Sequence, residues 1–150
     1  MKRFLMLLAL PLLLGAASPS VTPKPSPALI HASHAWIRYL LPGLPAAGYM
    51  TLTNTGDATT RLMKASSVDC DTLMLHESKT ESGTAMMTMV KSITIPSHGR
   101  VRLAEGGYHL MCTNPKMTVG GNVSITLSFS DGSNLLLLVP VYGPAGPHEG

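Results

Sequence analysis

The sequence predicts an all-β fold, an antiparallel sandwich of about seven to nine strands, and three observations carry that expectation. Apolar and polar residues alternate with period two, most cleanly at Val123, Ile125, Leu127 and Phe129, the pattern of a strand with one buried face. Gly, Pro, Asn and Asp recur at short intervals between such stretches, where turns need them. No stretch carries the spacing of an amphipathic helix.

In chain order, Ala47 to Thr55 reads as a strand ending at the turn signal Asn54-Thr55-Gly56-Asp57. Leu73 to His76 alternates weakly. Ile93 and Ile95 alternate with polar residues and stop at Pro96-Ser97-His98-Gly99. Val101 and Leu103 stand between Arg100 and Arg102, and Glu105-Gly106-Gly107 then turns the chain. After the strand at Val123 to Phe129, Asp131-Gly132 makes a hairpin turn into Leu135 to Tyr142. Val, Ile, Leu and Thr supply the strand propensity, and short strands so punctuated suit a sandwich or barrel.

The first residues read as an address. Lys2 and Arg3 precede an apolar run from Phe4 to Leu14, broken only by Pro11, and Gly15-Ala16-Ala17 offers small residues for cleavage. This is the pattern of a secretory signal peptide over residues 1–17, and the run is too short to span a bilayer, which takes roughly 20 apolar residues. No Cys follows it to accept a lipid anchor, and no other stretch is apolar enough to cross a membrane. Residues 18–29, rich in Pro and Ser, read as a linker. Residues 30–142 suit one domain with a real core, and residues 143–150 read as a loose tail. The chain has 11 Lys+Arg against 8 Asp+Glu; without Lys2 and Arg3 the balance is 9 against 8. No basic cluster remains, so nucleic acid and anionic membranes are poor partners.

Four residues suggest chemistry. His109 and Met111 are separated only by Leu110, so on a strand both side chains leave the same face. His76 and Met87 can complete a set of two imidazole nitrogens and two thioether sulfurs, a donor set that suits Cu(I) better than Mg, Ca or Mn. Taken singly, a strand His is usually a packed or surface residue and a strand Met is usually core filler. Dense methionine favours the metal reading, since Met86, Met87 and Met89 crowd one short stretch. Met87 and Met89 share strand parity, whereas Met86 points the other way and is expected in the core. His31, His34, His98 and His148 lie near the ends or in a turn and read as solvated.

The order His76, ten residues, Met87, twenty-one residues, His109, one residue, Met111 resembles the periplasmic copper chaperone family known as PCuAC. Ala35-Trp36-Ile37-Arg38, Ala46 to Gly56, Leu75-His76-Glu77 and Gly106 to Met111 resemble it too, so the likeness spans about residues 33 to 141. The resemblance implies a cupredoxin-like β-sandwich that binds one Cu(I) per chain near its surface through His76, Met87, His109 and Met111. It further implies delivery of that copper to cytochrome oxidase assembly in the periplasm; a surface site with one open side suits a monomer that docks transiently on a copper-accepting protein, an oxidase subunit or another chaperone. The Met cluster departs from the family pattern and leaves Met89 as a neighbour or substitute for Met87.

Cys70 and Cys112 are the two cysteines of the chain, and in an exported protein they are expected to form a disulfide. Cys112 follows Met111, so strand parity turns it away from the His109/Met111 pair. The alternative function is a blue-copper electron carrier, built on two His, a Cys and a weak axial Met; the compact Cys-then-His-then-Met loop it requires is missing. A third is an interaction sandwich without metal. An enzyme is not expected, because nucleophile elbow, Walker loop, His-Glu-x-x-His and Cys-x-x-Cys are all missing.

Overall fold

Alternation becomes pairing in the computed structural model, which describes residues 29–147. The expected signal peptide, the linker before Leu29 and His148 lie outside the described residues. Ten strands follow in order: β1 (Ile30–Arg38), β2 (Ala46–Asn54), β3 (Thr60–Ser66), β4 (Thr72–Glu81), β5 (Thr84–Met89), β6 (Ile93–Ile95), β7 (Arg100–Leu103), β8 (Tyr108–Thr113), β9 (Asn122–Phe129) and β10 (Asn134–Tyr142). No helix occurs among the described residues.

The strands hydrogen-bond in the order β5-β4-β8-β2-β1-β10-β9-β3-β6, with β7 also on β2. Every pair is antiparallel except β1 with β10, which meet in parallel at Ile37 opposite Val141 and Arg38 opposite Tyr142. That short junction links two layers. β3 lies against β4, and β6 against β2 and β7, so the sheet folds over as a sandwich. Its core is filled from both sides by fully buried side chains such as Ile37, Leu52, Leu62, Leu110, Ile125 and Val139.

The expected antiparallel sandwich is present, with ten strands where seven to nine were expected. The extra strands are those whose pattern is disturbed. In β3 a register shift between Leu62 and Lys64 puts buried Leu62 and Ala65 three residues apart, which hides the period of two. In β1 a similar irregularity lies between Ser33 and Trp36, where His34 takes a positive φ of 52°. β5 is an edge strand exposed on both faces, so nothing forces it to alternate.

The turn signals act as read. Asn54 is buried, and its side chain accepts from Gly56 N (2.9 Å) and donates to Ala58 O (2.9 Å), closing the Asn-Thr-Gly turn. Cys70 and Cys112 form a disulfide across 42 residues, with Cα atoms 5.4 Å apart. It ties the approach to β4 onto β8, and closing a loop of that length stabilises by up to roughly 4 kcal/mol in the chain-entropy account. Part of the stretch expected to be loose is tucked in: Gly146 is buried and lies so close to Trp36 that a Cβ there would meet the indole at 2.9 Å.

Candidate metal centre

The pairing of β4 with β8 places Leu73 opposite Cys112, Met74 opposite Met111, Leu75 opposite Leu110 and His76 opposite His109. Leu73, Leu75, Leu110 and Cys112 go inward to the core. Alternation then sends Met74, His76, His109 and Met111 to the outer face. On the other side of β4, strand β5 sets Met89 opposite His76, Met87 opposite Ser78 and Met86 opposite Lys79. Met89 and Met87 therefore share the outer face, and Met86 does not. Beyond β8, strand β2 contributes Ala47 opposite Met111 and Tyr49, whose ring lies 6.5 Å from that of His109.

The two imidazoles meet edge to face, with ring centroids 5.8 Å apart. His109 is only 4% exposed. Its Nδ1 is 3.1 Å from the carbonyl oxygen of Gly107; a carbonyl only accepts, so Nδ1 carries the proton and Nε2 keeps a free lone pair. That Nε2, and Nδ1 of His76, are buried without a hydrogen-bond partner. Such atoms are costly unless something fills them, and a ring whose second nitrogen is anchored to a carbonyl is the arrangement a metal ligand needs. Burial holds the His76 imidazole below its ordinary value of 6.5, and the neighbouring His109 pushes it the same way. Its lone pair is thus free at neutral pH. Among the described residues no group of three or more His, Cys, Asp or Glu comes together for a metal. The donors gathered on this face are imidazole nitrogen and thioether sulfur, a soft set.

An interruption in the sheet supports the pair. β7 and β8 both run along β2, but Met50 opposes Leu103 while Gly48 opposes Leu110, so Ala104 to Gly107 loops out between them. The Gly107 carbonyl at its end accepts from Ser78 N of β4 (3.0 Å) as well as from His109. Glu105 in the same loop forms an ion pair with Arg38. Arg38 donates to the Tyr49 hydroxyl (3.0 Å), and its guanidinium lies 5.6 Å from the centre of that ring. Burial raises the Tyr49 pKa, with Arg38 opposing it. Trp36 packs on Tyr49 at 5.0 Å between ring centroids. A cleft of about 1190 Å³ opens among Trp36, Tyr49, Arg100, Arg102, Glu105 and Tyr142.

Of the residues singled out in the sequence, His76, His109 and Met111 are neighbours on adjacent strands. Met87 is on their face but diagonal to His76, and β4 stands between it and β8. Met86 corrects an expectation: it is 47% exposed rather than in the core, because β5 is an edge strand with neither face covered. Met87 and Met89 are 51% and 69% exposed. Cys112 faces the core and is bonded to Cys70. His31 and His34 are exposed, and His98 is bonded to Asp57 at 2.6 Å. Unforeseen in the sequence were Met74, the Arg38–Tyr49 pair and the Gly107 carbonyl. Met74 was legible as the start of Met74-Leu75-His76; the other two depend on long-range pairing.

A family model described as LpqE-like ("Putative lipoprotein LpqE-like") matches residues 30–141. The chain belongs to the LpqE-like family. Consistent with this, it is 36% identical over 123 residues to "Putative lipoprotein Lxx21020" of Leifsonia xyli subsp. xyli, covering 80% of this chain and 74% of that one. Among solved structures, this LpqE-like chain is similar to the copper-bound PCuAC domain from PmoF2, with a TM-score of 0.65 and 26% identity over 77% of this chain and 94% of that one. It is also similar to the Cu(I) form of DR1885 from Deinococcus radiodurans, with a TM-score of 0.60 and 32% identity over 77% of each chain. The apo PCuAC domain from PmoF1, at 19% identity and a TM-score of 0.64, shares the fold.

Proposed function

We propose that this protein is an exported, periplasmic Cu(I) carrier that passes copper to an accepting protein, an oxidase subunit or a second chaperone, during cytochrome oxidase assembly. One observation supports the reading above the others: two buried imidazole nitrogens, His76 Nδ1 and His109 Nε2, lack partners on a face lined with methionine sulfur. The likeness to a copper-bound PCuAC domain and to a Cu(I)-loaded protein supports copper as the ion. His76, His109 and Met111 form the centre, with a further sulfur from the methionines beside them, of which the family spacing names Met87. Thioethers and neutral imidazoles hold Cu(I) without any thiolate. The site lies on an outer face next to an exposed edge strand, where a partner can reach the ion. Export accords with the lipoprotein names of the family and relative and with the disulfide.

A blue-copper carrier would need a thiolate ligand, and both cysteines are joined to each other with Cys112 facing the core. The carrier reading is tested by anaerobic titration with Cu(I) against a competing chelator, with Zn(II) as the rival ion. We expect one tightly held Cu(I) per chain and weak Zn(II), because zinc sites use Cys, His and carboxylate rather than thioether. Equal retention of the two ions would refute it.

A further inference from the structure

We propose that the cleft over the outer faces of β1, β2 and β7 is a docking site for an extended acidic segment of a partner protein, whichever ion the outer face of β4 and β8 holds. Strand parity builds its walls. Leu103 is buried and Val101 packs on the core, so Arg100 and Arg102 of β7 turn outward, and both are exposed. They oppose Thr53 and Thr51 on β2, which in turn oppose His31 and Ser33 on β1. Further along the same two strands, past the irregularity at His34, Trp36 opposes Tyr49. The Trp36 indole is held by Tyr49 at 5.0 Å, by Tyr142 edge-on at 6.2 Å and by buried Gly146, where a Cβ would meet it at 2.9 Å. A cationic strand and a fixed aromatic wall thus line one cleft of about 1190 Å³.

Charge decides what the cleft takes. Its lining carries one carboxylate, Glu105, which is ion-paired with Arg38. Arg100 and Arg102 form no ion pair among the described residues. Two uncompensated guanidinium groups remain, each able to hold a carboxylate through two parallel N–H···O bonds. They stand two residues apart on one strand, about 7 Å, which is also the distance between residues i and i+2 of an extended peptide. Along the strands the order is arginine, arginine, aromatic, so the matching segment presents acid, acid and an apolar residue at i, i+2 and i+4. The volume exceeds the roughly 300–1,000 Å³ of small-molecule sites and leaves room for several residues. Arginine beside aromatic side chains is also the composition enriched at protein interfaces. A bilayer matches less well: the site is concave, and two arginines fall short of the roughly four to eight basic residues that anionic lipid recognition gathers.

Trp36 is the one tryptophan of the chain, so its fluorescence reports on the cleft. The full protein, free of copper, titrated with the blocked peptide acetyl-Glu-Ser-Glu-Ser-Leu-amide should show a saturable change that weakens as salt is raised. The same peptide with Lys in place of both Glu should give none. Arg100→Gln and Arg102→Gln together, at exposed positions outside the core, should weaken the acidic peptide at least tenfold and leave thermal melting unchanged. No saturable change, or equal binding by the double variant, would overturn the proposal while leaving the copper reading intact. Saturation by inorganic phosphate at the same concentrations would make the cleft a general anion site, and tighter arginine-dependent binding to phosphatidylglycerol vesicles would make its partner a membrane; either result overturns the peptide reading.

Discussion

One hydrogen bond sets the chemistry of His109. Because the Gly107 carbonyl accepts a hydrogen bond from Nδ1–H, the buried Nε2 presents a lone pair with no protein partner. His109→Ala should therefore cost Cu(I) affinity at least tenfold, about 1.4 kcal/mol per decade, in a chelator competition. Met86 faces away from the site, so Met86→Leu should leave that affinity unchanged; a loss there would mean that the register of β5 is shifted by one. The lowered pKa of His76 gives a third expectation. Its folded value lies below the unfolded 6.5, so the unfolded chain takes up the proton first. Copper-free protein should lose stability as the pH falls through 6.5 to the folded value, with no such loss above 6.5. Thermal melts over about pH 5 to 8 should show that decline in wild type and less of it in His76→Gln. Equal slopes in the two proteins would contradict it.

At the level of elements, the site is the product of one strand pair. β4 and β8 are held by inward leucines and by the disulfide, and the looped-out Ala104 to Gly107 segment binds them on the outer side through Ser78 and His109. The disulfide supports the strands from the core face, and strand parity turns Cys112 away from the face of the proposed ligands. Replacing both Cys70 and Cys112 by Ser should lower stability by up to about 4 kcal/mol in denaturant unfolding and leave copper binding in place; loss of binding would implicate sulfur from cysteine. β9 was legible because one face is core and the other solvent, so Val123 to Phe129 alternates without interruption. β3 was not, because its register shift breaks the period. Met86 was misplaced because strand parity predicts a face but not whether another layer covers it. His109 and Met111 could be read from adjacent positions on one strand. The partners across the sheet could not, since register is set by tertiary packing; only the mirrored Met-Leu-His and His-Leu-Met hint at it.

At the scale of the whole molecule, the sandwich keeps its core free of the site. The nearly fully buried apolar residues fill the space between the layers, while the nitrogen and sulfur donors sit on the outer face of β4, β5 and β8 beside an unpaired edge. A metal held on that face could be gained or lost without opening the core, in keeping with the proposed carrier. The central claim is that this outer face holds one Cu(I) through imidazole and thioether together. X-ray absorption of the protein loaded anaerobically with one equivalent of Cu(I) tests it most directly. The account predicts a mixed shell of two nitrogen and two sulfur neighbours around a single reduced copper, unchanged when both cysteines are replaced by Ser. A shell of nitrogen and oxygen alone, or sulfur scattering that vanishes with the cysteines, would contradict it.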